Sequence, residues 1–297
     1  MSPLLDPPSD QGQPQGPVTE IPQGTPIEII EAPGAAPENG ESGETPGKEP
    51  YISFQHVFKS FGDVNVLDDV SFSVAAGETL CILGRSGVGK SVSLQQIMGF
   101  LKPDSGRIMV AGQDITLLDE KQMESVRKKV TMVFQNGALF DSLSVGENVA
   151  FPLRERRELQ EDQIQQVVNG LLDMVGVSGM AELLPSDLST GMKRSVAIAR
   201  ALAAQPEAIL YDEPTTMVDP LMGRRLGNLI QKLKHQLRLT SIVVTHDMRF
   251  AARLADHVLF LHQGRARFLG TMEEMEQSED EAVRQFLEFD ALVLPQV

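Results

Sequence analysis

Three features of the 297-residue chain predict an α/β fold, a mostly parallel sheet with a lobe of helices inserted into it. Four short apolar runs, Leu80–Leu83, Val130–Phe134, Ala208–Tyr211 and Ile242–Val244, have the length and composition of strands buried on both faces. Each runs out into polar residues, where an open α/β sheet places its ligand. Between the second and third runs, residues 145–205 carry no such strand and show helical spacing instead.

Along the chain, residues 1–48 come first and hold ten of the eighteen prolines. Such a segment buries too little apolar surface to offset its ordering entropy, so a solvated, disordered tail is expected. Its one apolar island is Ile27, Glu28, Ile29 and Ile30. The tail is acidic, has no Arg and lacks a sustained apolar core, so neither a secretory signal nor a transit peptide is expected. Tyr51–Phe61 and Val66–Val74 read as strands from their aromatic and β-branched content, and Arg107–Val110 as a further one entered through Ser105-Gly106. Val92–Met98 reads as a helix leaving the first buried strand. In Gln163–Gly176, residues Ile164, Val167, Val168, Leu171, Leu172 and Val175 recur near the helical period of 3.6. His257–Gln263 and Ala266–Leu269 flank Gly264 and Arg265 and predict a hairpin. In the extension 271–297, Ser278 and Glu281 have capping-box spacing, and Val283, Phe286 and Leu287 share one face. A short amphipathic helix from about 278 to 289 is expected, its apolar face packed on its own domain or on a partner.

Composition excludes several functions. Residues 1–47 hold eight acidic and no basic residues, and residues 271–297 hold eight acidic residues and only Arg284; these ends carry all of the net charge of -15 and leave residues 48–270 neutral. A duplex-binding protein needs a Lys/Arg excess to displace counterions from phosphates, so no nucleic-acid partner is expected. No apolar run reaches the roughly 18 residues that cross a bilayer. The single cysteine, Cys81, rules out an intrachain disulfide, and its place on a buried strand predicts a structural role.

The strongest chemical signal is Gly84-Arg85-Ser86-Gly87-Val88-Gly89-Lys90-Ser91, which fits G-x-x-x-x-G-K-[ST] in full. A buried strand runs into it and a helix runs out. Its glycines let backbone amides turn inward around phosphate oxygens, and the helix N-terminus adds free N–H donors. Lys90 supplies a point charge for the β- and γ-phosphates, and the Ser91 hydroxyl is placed to ligate Mg²⁺. A second signal is Asp212-Glu213-Pro214 at the end of the third buried strand. Two carboxylates there are costly unless they meet a cation or water. Consecutive strand residues point to opposite sides, which predicts separate jobs: Asp212 in the magnesium shell and Glu213 on the attacking water.

Leu188-Ser189-Thr190-Gly191-Met192 lies a little over twenty residues before Asp212 and resembles the LSGGQ signature of ABC-type ATPases, the motor subunits of ATP-driven transporters. The resemblance covers roughly residues 51–270. It implies a P-loop NTPase fold with an antiparallel β subdomain and a helical subdomain inserted at about 136–206, within an ATPase domain of residues 49–270. Carried over by position, it implies that Phe61 stacks on adenine and that Gln135 senses Mg²⁺ and the attacking water. It further implies that Ser189 and the Gly191 amide bind the γ-phosphate of ATP held by a second copy of the chain. Asp219 is then the aspartate at the contact between copies, and His246 touches the γ-phosphate. The implied cofactors are ATP and Mg²⁺.

A narrower resemblance rests on Gln135-Asn136-Gly137-Ala138-Leu139-Phe140, on Glu147-Asn148-Val149-Ala150-Phe151-Pro152-Leu153-Arg154, on Met192, and on Val283-Arg284-Gln285-Phe286-Leu287. These are similar to the Mla/Mce branch, which moves lipids between bacterial membranes. That branch implies a homodimer peripheral to the cytoplasmic face of the inner membrane, two integral-membrane permease subunits, an MCE lipid-binding protein and, in some members, a STAS-domain regulator. The sequence departs from the family at Thr190, where the signature has its first glycine, and at Ser195, where arginine is usual. An ABC ATPase for another cargo (amino acid, ion or lipoprotein), a non-transport ABC ATPase and a non-hydrolysing binder are the alternatives on these residues.

Overall fold

The computed structural model describes residues 50–293. The expected solvated tail of residues 1–48, with its apolar island, lies outside the described residues. Two sheets build the domain. The first is antiparallel, in the order β2-β1-β4-β5, from β1 (Pro50–Phe61), β2 (Val64–Ala75), β4 (Ser105–Val110) and β5 (Gln113–Asp114). The second, in the order β10-β9-β3-β8-β7-β6, holds β3 (Thr79–Leu83), β6 (Val130–Val133), β7 (Ala208–Asp212), β8 (Thr240–Thr245), β9 (His257–His262) and β10 (Arg265–Gly270). Its members are parallel except β10, which returns antiparallel to β9.

The apolar runs are buried on both faces because each face of the second sheet meets its own core. Cys81, Leu83, Ile209, Tyr211 and Val243 pack into one cluster, and their alternating neighbours Leu80, Ile82, Leu210, Ile242 and Val244 into the other. The first cluster takes in the helical lobe and the second the inner face of the antiparallel sheet. A one-residue slip would exchange the two sets, so register is tightly specified. Cys81 is fully buried, and desolvation pushes its thiol pKa up, which keeps it inert.

The lobe consists of α3 (Val145–Arg156), α4 (Glu161–Met174) and α5 (Thr190–Ala203), inserted between β6 and β7. Ile164, Val168 and Leu172 form the buried stripe of α4, as its period predicts. Helix α3 opens with a capping box in which Ser144 and Glu147 satisfy each other's backbone N–H. Fully buried Asn148 holds the preceding loop: its Oδ1 accepts from Phe140 N at 2.8 Å, and its Nδ2 donates to the carbonyls of Phe140, Leu143 and Ser144.

Outside the lobe lie α1 (Lys90–Ile97), α2 (Glu120–Arg127), α6 (Pro220–Leu237), α7 (Met248–Leu254), α8 (Met272–Glu276) and α9 (Glu281–Val293). Two local expectations shift. The β9–β10 turn is Gln263-Gly264, both left-handed at φ 50° and 76°, and Arg265 already belongs to the strand. A two-residue hairpin with positive φ at both positions matches the twist of its strands, which fixes the turn one residue earlier. Helix α9 starts at Glu281 because Asp280, not Ser278, caps it: Asp280 Oδ1 accepts from Ala282 N at 2.8 Å and Val283 N at 3.2 Å. Val283 and Phe286 are buried against the domain, with the Phe286 ring 4.8 Å from that of Phe260.

Candidate functional site

The segment Gly84–Ser91 links β3 to α1 at the carboxyl end of the parallel strands. Gly84 and Gly89 have φ of 152° and 102°, and a Cβ on either would meet a backbone oxygen, Leu261 O at 2.5 Å or Val66 O at 2.6 Å. Any larger residue would force the loop off β9 and β2. The Lys90 side chain is only 5% exposed, and its ammonium is turned inside the loop, donating to Gly84 O at 2.8 Å and Arg85 O at 3.0 Å. It also pairs with Glu213 Oε1 at 3.3 Å.

Ser91 and Asp212 meet where α1 passes the end of β7, the hydroxyl donating to Asp212 Oδ1 at 2.8 Å. Burial raises the Asp212 carboxyl above its ordinary pKa; Ser91 opposes the rise, Glu213 adds to it and Lys90 again opposes it. Glu213 follows with φ 45°, a left-handed value. That kink overrides the alternation expected of consecutive strand residues. Both carboxylates therefore reach the same loop, Asp212 to Ser91 and Glu213 to Lys90. Glu213 Oε2 lies 2.8 Å from His246 Nδ1 and accepts from Thr216 Oγ1 at 3.3 Å. His246 stands just past β8.

These groups surround a cleft of about 420 Å³, lined by the loop and by Val66, Gln135, Glu213, Thr216 and His246. Contacts thus link Ser91 to Asp212 and Lys90 through Glu213 to His246 beside the cleft, which Gln135 also lines. Among the described residues no cluster of three His, Cys, Asp or Glu side chains is placed to hold a metal alone. The donors present, one carboxylate and one hydroxyl beside a phosphate loop, fit a cation that keeps water and shares phosphate oxygens, as Mg²⁺ does.

Phe61, Ser189, Gly191 and Asp219 stand apart from this cleft. Phe61 sits at the end of β1 and is 46% exposed. Ser189 caps α5 through Met192 N at 3.3 Å, and Asp219 caps α6 through Met222 N at 3.0 Å. A Cβ at Gly191 would lie 2.7 Å from Met222 Cε, so α6 packs directly on that glycine. Thr190, the departure from the signature, is the exposed first residue of α5 and is not among the residues with positive φ. Threonine therefore meets no backbone strain there.

Sequence reasoning missed four contributors. Thr216 and Val66 line the cleft but carry no local signal. Arg194, buried in α5, donates to Phe134 O at 3.4 Å and Thr216 O at 3.5 Å and so bridges the Gln135 segment to the segment after Glu213. Arg200 continues the grip, donating to Ala138 O at 2.8 Å and Gly137 O at 3.2 Å. Both guanidinium groups bond backbone carbonyls far away in sequence, which no local pattern reveals.

Residues 67–216 match the ABC transporter family. The Haemophilus influenzae protein named intermembrane phospholipid transport system ATP-binding protein MlaF is 42% identical over 226 residues, 76% of this chain and 86% of that protein. The Mycobacterium leprae protein named probable ribonucleotide transport ATP-binding protein mkl is 36% identical over 236 residues, 80% of this chain and 68% of that one. The dimeric structure of a post-hydrolysis state of the ATP-binding cassette MJ0796, bound to ADP and Pi, has a TM-score of 0.69 and 30% identity, over 74% of this chain and 98% of that chain. With its phosphate loop, its acidic strand end and its inserted helical lobe, the chain belongs to the ABC transporter family of ATP-binding proteins.

Proposed function

We propose that this chain is the ATP-hydrolysing motor of a bacterial transporter that moves phospholipids between membranes, working as a homodimer on the cytoplasmic face of the inner membrane. The observation that carries the reading is the division of the site residues. Lys90, Ser91, Asp212, Glu213, Gln135 and His246 gather around one cleft, while Ser189 and Gly191 stay out of it. A second copy, apposed head to tail, would supply Ser189 and the Gly191 amide to the γ-phosphate and meet the first across Asp219. Phe61 would take the adenine ring.

Within the cleft, Lys90 and the loop amides bind the phosphates and hold them in line. Ser91, Asp212 and Gln135 would hold Mg²⁺, which supplies neutralisation of charge on the phosphate oxygens. Glu213 orients the attacking water and draws its proton; His246, in contact with Glu213, fixes that carboxylate and faces the γ-phosphate. Arg194 and Arg200 connect Gln135 to the helical lobe, so nucleotide state and lobe position are coupled mechanically. The lobe would pass the motion to integral-membrane permease subunits, with an MCE lipid-binding protein and a STAS-domain regulator as further partners. The phospholipid cargo is supported by the MlaF-named relative; the mkl-named relative supports a second cargo, ribonucleotides.

Glu213→Gln is expected to bind ATP, lose about a hundredfold or more in kcat and accumulate as an ATP-bound dimer in size-exclusion chromatography. Turnover at the normal rate would remove Glu213 from its role. Identification of the membrane subunits that co-purify with the chain separates the two cargoes.

A further inference from the structure

The approach to Phe61 is tied down by a single carboxylate. Lys59 Nζ donates to Asp104 Oδ1 at 2.7 Å, Ser60 N donates to Asp104 Oδ2 at 2.6 Å, and Asp104 N donates to Phe58 O at 2.9 Å. The Ser60 hydroxyl adds a bond across the hairpin to Asn65 Oδ1 at 2.9 Å. Lys59 is largely buried, at 15% side-chain exposure, and its ammonium lies over the Phe61 ring, 5.4 Å from the centroid. The ring itself is 46% exposed. One face is thus backed by a cation that Asp104 holds in place, and exposed ring surface remains beside it.

We propose that Lys59, anchored by Asp104, is a positioning residue for nucleotide binding that orients the Phe61 ring and sets how strongly it stacks on the base. The inference rests on the reading of Phe61 as the adenine platform. An aromatic side chain at a hairpin end loses rotamer freedom when a ligand stacks on it. A cation fixed over the ring restricts it beforehand, and by drawing π density to its own side it makes the opposite face a better partner for an electron-rich purine.

The test measures equilibrium binding of ATP and of inorganic tripolyphosphate to the full-length chain carrying Lys59→Met, Lys59→Arg, Phe61→Ala or Lys59→Met with Phe61→Ala. Lys59→Met is expected to weaken ATP about two- to fivefold, the strength of an exposed cation–π contact, while leaving tripolyphosphate binding in place. Lys59→Arg is expected to restore ATP affinity, and Lys59→Met to add nothing once Phe61 is removed. In steady-state hydrolysis the loss should fall on KM for ATP rather than on kcat. If Phe61→Ala weakens ATP but Lys59→Met does not, the role of Lys59 is overturned and the platform stands. Equal losses for ATP and tripolyphosphate also overturn it, since the lysine then acts as a distant charge on the phosphates. If Phe61→Ala leaves ATP binding unchanged, the platform reading itself falls, and the inference with it.

Discussion

Asp212 shows how a site residue works against the fold that holds it. Burial raises its pKa, so the folded chain keeps that proton to a higher pH than the unfolded chain does. The resulting penalty is absent below the unfolded value, grows as pH rises through the interval between the two values, and is fully present above the folded one. Asp212→Asn is therefore expected to raise the Tm of the nucleotide-free protein at neutral pH, with the gap closing as the solution is acidified, and to abolish ATP hydrolysis. A Tm gap that widened toward acid would contradict the sign. Met217 offers a second residue-scale test. It has φ 60° and is 89% exposed, so it carries left-handed strain with no burial to offset it. The left-handed penalty of about 1–2 kcal/mol for a residue with a Cβ exceeds the glycine entropy cost of about 0.5–1 kcal/mol. Met217→Gly should raise Tm by about 2–3 °C, read by calorimetry. The phosphate loop was legible because all eight of its residues are consecutive and each has a local reason. The joint reach of Asp212 and Glu213 was not, because it depends on the backbone at Glu213 leaving the strand pleat. Arg194 was not legible either, because its partners lie 60 and 22 positions away.

At the scale of elements, the buried strands were readable and the short polar ones were not. Ala208–Tyr211 and Ile242–Val244 announce themselves because both faces are covered, whereas β5, two exposed residues long, has no pattern to read. Helix α6 escaped notice, although Asp219 caps it and Pro220 occupies its first turn; the sequence reading had assigned Asp219 to the contact between copies. Helix α9 was anticipated through Val283, Phe286 and Leu287, but its cap, Asp280, lies two residues past the expected Ser278. Its packing makes a measurable claim. Phe286 is 7% exposed and packs its ring at a tilt against Phe260, and the Arg85 guanidinium lies 5.4 Å from the Phe289 ring, so α9 returns to the phosphate loop. Phe286→Ala should cost about 3 kcal/mol, seen as a lower urea midpoint with an unchanged slope. A loss under about 0.5 kcal/mol, the range of an ordinary surface substitution, would mean that α9 contributes little to the folded domain.

For the whole molecule, the sheet order β10-β9-β3-β8-β7-β6 explains why residues from 90, 135, 213 and 246 converge: their strands are neighbours, and all end at one edge. That order could not be read from apolar runs, which carry no information about which strand pairs with which. The same topology leaves Ser189 at the start of a lobe helix, away from the cleft, and a head-to-tail pair answers this by giving each pocket a signature from the opposite copy. Mixed dimers test it. Lys90→Ala removes the phosphate ligand, and Ser189→Asp keeps a good helix cap while setting a negative charge against the γ-phosphate. With Lys90→Ala in one copy and Ser189→Asp in the other, one pocket of the head-to-tail pair collects both lesions and the other stays whole, so about half of the normal ATPase rate should survive. With both changes in one copy beside an unaltered partner, each pocket is damaged once and activity should be lost. Self-contained pockets reverse the outcome, because the double variant would then spare its unaltered partner entirely. Purifying the dimers through a different tag on each copy and measuring phosphate release decides between the two arrangements.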